Sequence, residues 1–454
     1  MKKALALVMA MAMLLSLAAC GGSGSNAPAA DPAPAKDPAP AADPAPAEAD
    51  AAEGSNYNGI TLTLMNSKPE ITDVVKSMAK TWGDAHGVTF EVYETSNPNE
   101  TLTQKYQAGD APVLAIVDIA DVLNFGTERM LPLDGEEWLD YTSMAAYVDG
   151  KVYGFPLCVE SQCIVVNKTV VEANIGREFV PTDYKNIDAF ADLLAEMRAN
   201  GMENPVVVLP DVWSMCGHAF YQFYTYQDGT AEGAFKLVDD IKAGKDVYDD
   251  PVFADHMKLM LDVIKEYNVN KVDPLSADHD MSILELAEGN AAFLCNGSWT
   301  WPELAKMDAT DDFVIMGYPN NTAYAGKVHA APTKFIAIDN SVASAEQQAA
   351  AKEFLNYLVM DDAGQRGLVE DCGLVVSFTN NPYVPADPVN GSLMEYIAAG
   401  ETVTYLPFTF PSDYRDATVA PVIQKLFADE PGVTVRDLAD VLNAYWAVTE
   451  PKGR

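Results

Sequence analysis

Residues 59–87 read "GITLTLMNSKPEITDVVKSMAKTWGDAHG" and contain one change of hydrophobic period. Over the first part apolar residues alternate, which places Ile60, Leu62 and Leu64 on one face of a strand. From Glu70 the spacing lengthens. Ile71, Val74, Val75, Met78 and Trp82 then share one face of a helix that stops at Gly87. The alternation continues with "VTFEVYE" as strand, "NETLTQKYQAG" as helix, "APVLAIVDI" as strand and "ADVLNFGTERM" as helix. Strand, helix, strand in that order predicts parallel strands joined by right-handed crossovers, an α/β lobe. A second such run has a helix over 189–201 and a strand over 204–210, and helices follow at 349–359 and 434–446. Ligands of open α/β sheets bind beyond the carboxyl ends of the strands. That rule points at Asn66-Ser67-Lys68, at Asp118 and at the loop after Leu209.

The ends of the chain set its context. "MKK" is followed by the apolar run "ALALVMAMAMLLSLAA" and then Cys20. The run falls short of the roughly 20 residues a spanning helix needs, so residues 1–20 read as a secretion signal. Leu17-Ala18-Ala19-Cys20 resembles the lipobox of bacterial lipoproteins, which implies cleavage before Cys20 and a lipid on its sulfur. The protein is then anchored outside the cytoplasm, on the outer face of the cell membrane. The plainer alternative is an ordinary signal with an incidental Cys. The repeat "DPAPAKDPAPAADPAPAE" makes 21–57 a Pro/Ala-rich tether, too poor in apolar bulk for a core and semi-rigid because Pro favours extended chain.

Some 400 residues remain, more than one simple core accommodates, and two lobes are expected. The net charge is −37, of which residues 1–57 supply −3 (three Lys against six Asp or Glu). So acidic a body argues against nucleic acid and anionic lipid as partners, and its simplest meaning is solubility. Beyond Cys20 the cysteines are 158, 163, 216, 295 and 372, an odd number without CxxC, and read as small buried apolar residues. The chain lacks Gly-x-Ser-x-Gly, His-Glu-x-x-His and a phosphate-binding Gly-x4-Gly-Lys loop, and its five His are scattered. No enzyme activity, metal or cofactor is therefore expected, and the chain reads as a monomer.

Three segments carry a resemblance. "DGKVYGFPLCVESQCIVVNK" (149–168), "EGNAAFLCNGSWTWPEL" (288–304) and "AAAKEFLNYLVMDDAGQRGLVEDCGLVVSF" (349–378) are similar, in that order, to segments of extracellular solute-binding protein family 1. These are sugar-binding lipoproteins of bacterial ABC importers, maltose-binding-protein-like. The resemblance implies a two-lobed periplasmic-binding-protein (Venus-flytrap) α/β fold with the ligand in the cleft. One lobe is 58–158 plus about 317–370, the other 159–316 plus about 371–454. It also implies a carbohydrate ligand, and a membrane permease with a separate ATPase subunit as partners.

By position, the resemblance marks Lys68 for a polar contact with sugar, Glu160 for a carboxylate on sugar hydroxyls and Trp299 for ring stacking. Asp118 ends the third strand. Phe410 and Tyr414 stand where maltose-binding protein has a stacking Trp, a departure that leaves the ligand open. The residue types suit the task, since carboxylates and amines match hydroxyl arrays and aromatic faces cover C–H patches. Each residue also has a plainer reading. Lys68 is a solvated loop charge, Glu160 belongs to a structural salt bridge, Asp118 caps the next helix, and Trp213 is core rather than cleft. Trp82 is core. Thr300 and Glu303 have capping-box spacing, so a helix begins near 301. Trp299 then precedes it on a turn, and Trp301 either packs beneath or joins the ligand wall. A cationic ligand such as a polyamine, and a secreted glycoside hydrolase with paired carboxylates, are the rival functions.

Overall fold

The first strand, β1 (Ile60–Asn66), hides Leu62 and Leu64 completely, as the period of two requires. The helix Thr72–His86 buries Val75, Met78, Ala79 and Trp82 and ends at Gly87, whose φ of 73° lies in the left-handed region. β2 (Val88–Glu94) and β3 (Leu114–Asp118) both run parallel to β1, and the helices Thr72–His86 and Pro98–Ala108 make the crossovers. The expected α/β unit is therefore present.

β4 (Ala146–Val148) and β5 (Lys151–Asn167) form a hairpin across Asp149-Gly150. Both turn residues have positive φ, 51° and 76°, the conformation of a tight turn whose twist matches the strands. β5 is 17 residues long, about three times a usual strand, and every residue after Lys151 is buried. β6 (Val206–Val208), β7 (Phe293–Gly297), β8 (Phe313–Met316), β9 (Val328–Ile338) and β10 (Thr402–Val403) complete the sheet among the described residues. These residues are 57–309, 311–404, 410–411 and 413–451 of the computed structural model, all within a unit that starts at Gly54. The signal segment, Cys20 and the tether as far as residue 56 lie outside them.

The strand order is β2-β1-β3-β9-β5-β7-β6, with β4 and β8 on β5 and β10 on β9. β9 lies antiparallel between β3 and the first half of β5. Beyond Gln162, β5 leaves β9 and continues between β7 and β8. Side chains follow the pleat, so each half of the sheet has a core on either face. In the first half, Leu62, Ile116, Phe155 and Ile336 join one cluster, and Met65, Val117, Tyr153 and Phe335 the other. In the second half, Ile164 and Val166 face one cluster, and Cys163 and Val165 the opposite one. The polar residues Glu160, Ser161 and Gln162 sit in β5 where the halves meet, all buried. The five cysteines are buried and unpaired, as their apolar reading implies.

Candidate functional site

The loop after β1 is shaped by Asn66. Its side chain accepts the Lys68 amide (2.8 Å) and donates to the Lys68 carbonyl (2.9 Å) and the Thr72 hydroxyl (2.7 Å). This turns Lys68 inward, where 3% of it is exposed. Its Nζ lies 2.5 Å from Glu160 and 2.6 Å from Glu70, and Glu160 also accepts the Thr333 hydroxyl. Burial by itself would lower the pKa of Lys68. Glu160 and then Glu70 outweigh burial and hold it well above the ordinary value. The solvated-charge reading of Lys68 is thus corrected, because Asn66 and two carboxylates pull it out of water. Glu160 does form the salt bridge that its place in an apolar strand suggested.

Asp118 forms a reciprocal capping box with Asp121 at the start of the helix Ile119–Arg129. It also pairs with Lys334 of β9 at 2.7 Å, and Lys334 donates to the Ser67 hydroxyl at 3.2 Å. Asp121 is buried beside it. Burial first, and the neighbouring Asp118 second, push its pKa up to about 7.

Trp299 sits on a single tight turn, Ser298–Thr300, directly after β7. Its ring folds back on Gly297, where an added Cβ would lie 2.2 Å from the ring's far edge. The half-buried ring is 5.0 Å from His218 and 6.3 Å from Trp213, centroid to centroid. Trp213, on the short helix Val212–Met215, is itself half-buried, between the cleft and core readings. Arg415 pairs with Asp416 (2.7 Å), and its stem crosses Gly217, next to His218, so closely that a Cβ there would be 2.7 Å from Cδ. Burial opposes the charge on Arg415, and Asp416, with smaller help from Tyr221 and Asp118, raises its pKa.

Lys68, Glu70, Glu160, Ser298, Trp299 and Pro302 line one small recess with Cys372–Val375 and Asn390. The structure thus brings Lys68, Glu160 and Trp299 together, with Asp118 and Trp213 adjoining through Lys334 and Trp299. Trp301 is half-buried, edge-on to Phe313 at 6.1 Å, and packs against the same core cluster as Trp213. The open stacking pair expected at Phe410 and Tyr414 is corrected. Tyr414 stacks on Trp446 (5.0 Å) and shares a hydrogen bond with Tyr224 (2.7 Å), while Phe410 packs on the same rings. The terminal helix brings Trp446 there and removes both from the surface. The capping box at Thr300 is corrected too. The Thr300 hydroxyl donates to the Gly297 carbonyl and accepts from Asn296, and Glu303 turns to His279 instead.

Sequence reading missed Lys334 and Arg415. Lys334 carried the same signal as Glu160, a charge inside an apolar strand, "APTKFIAI". Arg415 carried none, since its neighbour Gly217 is distant in the chain.

Parallel strands in the order 2-1-3, an antiparallel β9 beside them, a long β5 through both halves and a buried polar site at the junction define the class. This is the α/β fold of the periplasmic binding proteins, which hold a solute rather than transform it. The chain belongs to the bacterial extracellular solute-binding protein family, whose profile matches residues 77–389, and is the extracytoplasmic solute-binding component of an ABC transporter.

Solved structures share the fold at low identity. The solute-binding protein RafE in complex with raffinose superposes with a TM-score of 0.71 at 18% identity, covering 86% of this chain and 99% of that one. A chitin oligosaccharide binding protein gives 0.68 at 19% identity, covering 86% and 99%. A manno-oligosaccharide specific protein from Bifidobacterium animalis subsp. lactis, in complex with mannotriose, gives 0.63 at 15% identity, covering 85% and 93%.

Proposed function

We propose that the chain captures a carbohydrate, a mono- or oligosaccharide, in a cleft between two lobes and delivers it to a membrane permease served by a separate ATPase. A lipid on Cys20 keeps it at the membrane, and the tether holds the body clear of the surface. Lys68, Asp118, Glu160, Trp213 and Trp299 contact the ligand in this reading.

The observation that carries it is a set of engaged carboxylates beside an aromatic platform. Glu160 and Glu70 share Lys68, Asp118 pairs with Lys334 and Asp416 with Arg415. A polyamine would have to compete with these cations for the carboxylates. A neutral polyhydroxyl ligand uses the donor and acceptor positions these pairs leave over, and lays a C–H face on Trp299. The named ligands of the similar structures, raffinose, chitin oligosaccharide and mannotriose, support the same class. Closure follows from differential affinity, because a ligand held by one lobe gains the other lobe's contacts only in the closed form.

A thermal-shift panel of sugars, polyamines and peptides tests this. A ligand at a hundred times its Kd adds about 2.7 kcal/mol to folding stability. A sugar is expected to raise the melting temperature. A shift by polyamines with none by sugars overturns the proposal.

A further inference from the structure

His279 opens the helix His279–Ala287 and lies between two carboxylates from other elements. Its Nδ1 is 2.9 Å from Oδ2 of Asp211, and its Nε2 is 3.3 Å from Oε2 of Glu303. Asp211 is the residue from which the Trp213 helix starts. Glu303 lies on the helix Trp301–Lys306, which begins directly after the Trp299 turn. The imidazole is 6.0 Å from the Trp213 ring, and that ring is 6.3 Å from Trp299. One side chain therefore ties together the two segments that carry the indoles.

A neutral imidazole has one donor nitrogen and one acceptor nitrogen, and only the imidazolium donates from both. With a carboxylate oxygen at each nitrogen, the geometry calls for the cation. A neutral ring could donate to only one of the two, leaving the other carboxylate oxygen opposite a nitrogen lone pair. The cation also lies at a distance where an indole face attracts it.

We propose that His279, as an imidazolium clamped between Asp211 and Glu303, is the positioning residue that sets Trp213 against Trp299 and so shapes the stacking wall of the site. The clamp itself needs no ligand; its effect on affinity rests on the carbohydrate reading above. The hydrogen bonds to Asp211 and then to Glu303 push the pKa of His279 up to about 10, so it carries its charge at neutral pH.

The experiment uses three readouts on the mature protein. Imidazole NMR of wild type, with the His279 signal assigned by its loss in His279→Gln, is expected to show a cation at pH 7.5. A neutral ring at that pH overturns the clamp. Far-UV circular dichroism, where the strong indole transitions couple, is expected to show an exciton couplet from the indole pair, lost in Trp213→Phe and in Trp299→Phe. It should also be lost in His279→Gln with cooperative thermal unfolding retained, and kept in His279→Arg. A couplet unchanged in His279→Gln overturns the clamp, and if that variant fails to fold, Asp211→Asn is read the same way.

Affinity for raffinose, mannotriose and tagatose is then measured. His279→Gln is expected to lose about tenfold for whichever binds, and His279→Arg to recover most of it. Equal affinity in wild type and His279→Gln overturns the link to the site. If none of the three sugars nor the wider sugar panel binds wild type, the carbohydrate reading fails, and the first two readouts decide the clamp alone.

Discussion

Replacing Lys68 by Met leaves Glu160 buried with the Thr333 hydroxyl as its remaining hydrogen-bond partner and Lys334 acting on it through charge alone, beside a second carboxylate, Glu70. Lys68 is 3% exposed and Glu160 8%, so neither water nor salt screens the pair appreciably. Breaking a buried pair from one side costs about 3–5 kcal/mol, while removing both partners is often close to neutral. Unfolding entropy of about 2.1 cal/mol/K per residue, over the roughly 400 residues from Gly54, amounts to about 0.8 kcal/mol/K. The single variant should therefore melt about 4–6 °C below wild type. Lys68→Met with Glu160→Gln should melt within about 2 °C of it. Calorimetry and urea unfolding at pH 7.5, without ligand and at low and high salt, give the complete double-mutant cycle. If Lys68→Met melts with wild type, or the double variant loses as much as the two singles together, the buried pair does not exist as described. A deficit that disappears in high salt would show it to be solvated.

Gly297→Ala forces a Cβ to within 2.2 Å of the Trp299 ring and 2.6 Å of the Ser161 carbonyl oxygen. It should cost about 1–3 kcal/mol by overpacking and abolish ligand-induced stabilisation as fully as Trp299→Ala does. A Gly297→Ala protein with a normal ligand shift would refute the ring's position. Asp121 binds its proton more tightly folded than unfolded, so the stability it contributes falls as pH rises from about 4 towards 7. Asp121→Asn should accordingly melt higher than wild type at pH 8 and not at pH 4, and thermal melts at the two pH values check this. His279 has the opposite sense of charge. Its raised pKa stabilises the fold fully below about 6.5 and no longer above about 10. The deficit of His279→Gln in thermal melts should be largest near pH 6 and vanish above pH 10, and a deficit equal at both ends would contradict the ion pairs.

Much of the fold was legible because burial imposes its period locally. Leu62 and Leu64 alternate in the sequence and are fully buried on the same face. Val75, Met78 and Trp82 recur at helical spacing and line one core. The site was legible where a residue breaks its own pattern, as Glu160 does in the otherwise apolar β5, and Lys334 could have been found the same way. Other features depended on partners remote in the chain. Tyr414 and Phe410 became core because the C-terminal helix brings Trp446 against them. Thr300 gave up its expected cap because Asn296 and the Gly297 carbonyl claimed its hydroxyl. Lys68 exchanged water for Glu160, 92 positions away.

The sequence by itself thus determined the α/β order of elements, the strand ends where a ligand would meet the sheet, and the family. The tertiary structure alone decided which of the candidate side chains are paired, which rings stay half open, and which charge His279 carries. The division has one physical cause. Strand and helix periods arise from neighbours within a few residues, whereas ion pairs, ring stacks and shifted pKa values arise from groups that only the completed fold brings within a few ångströms.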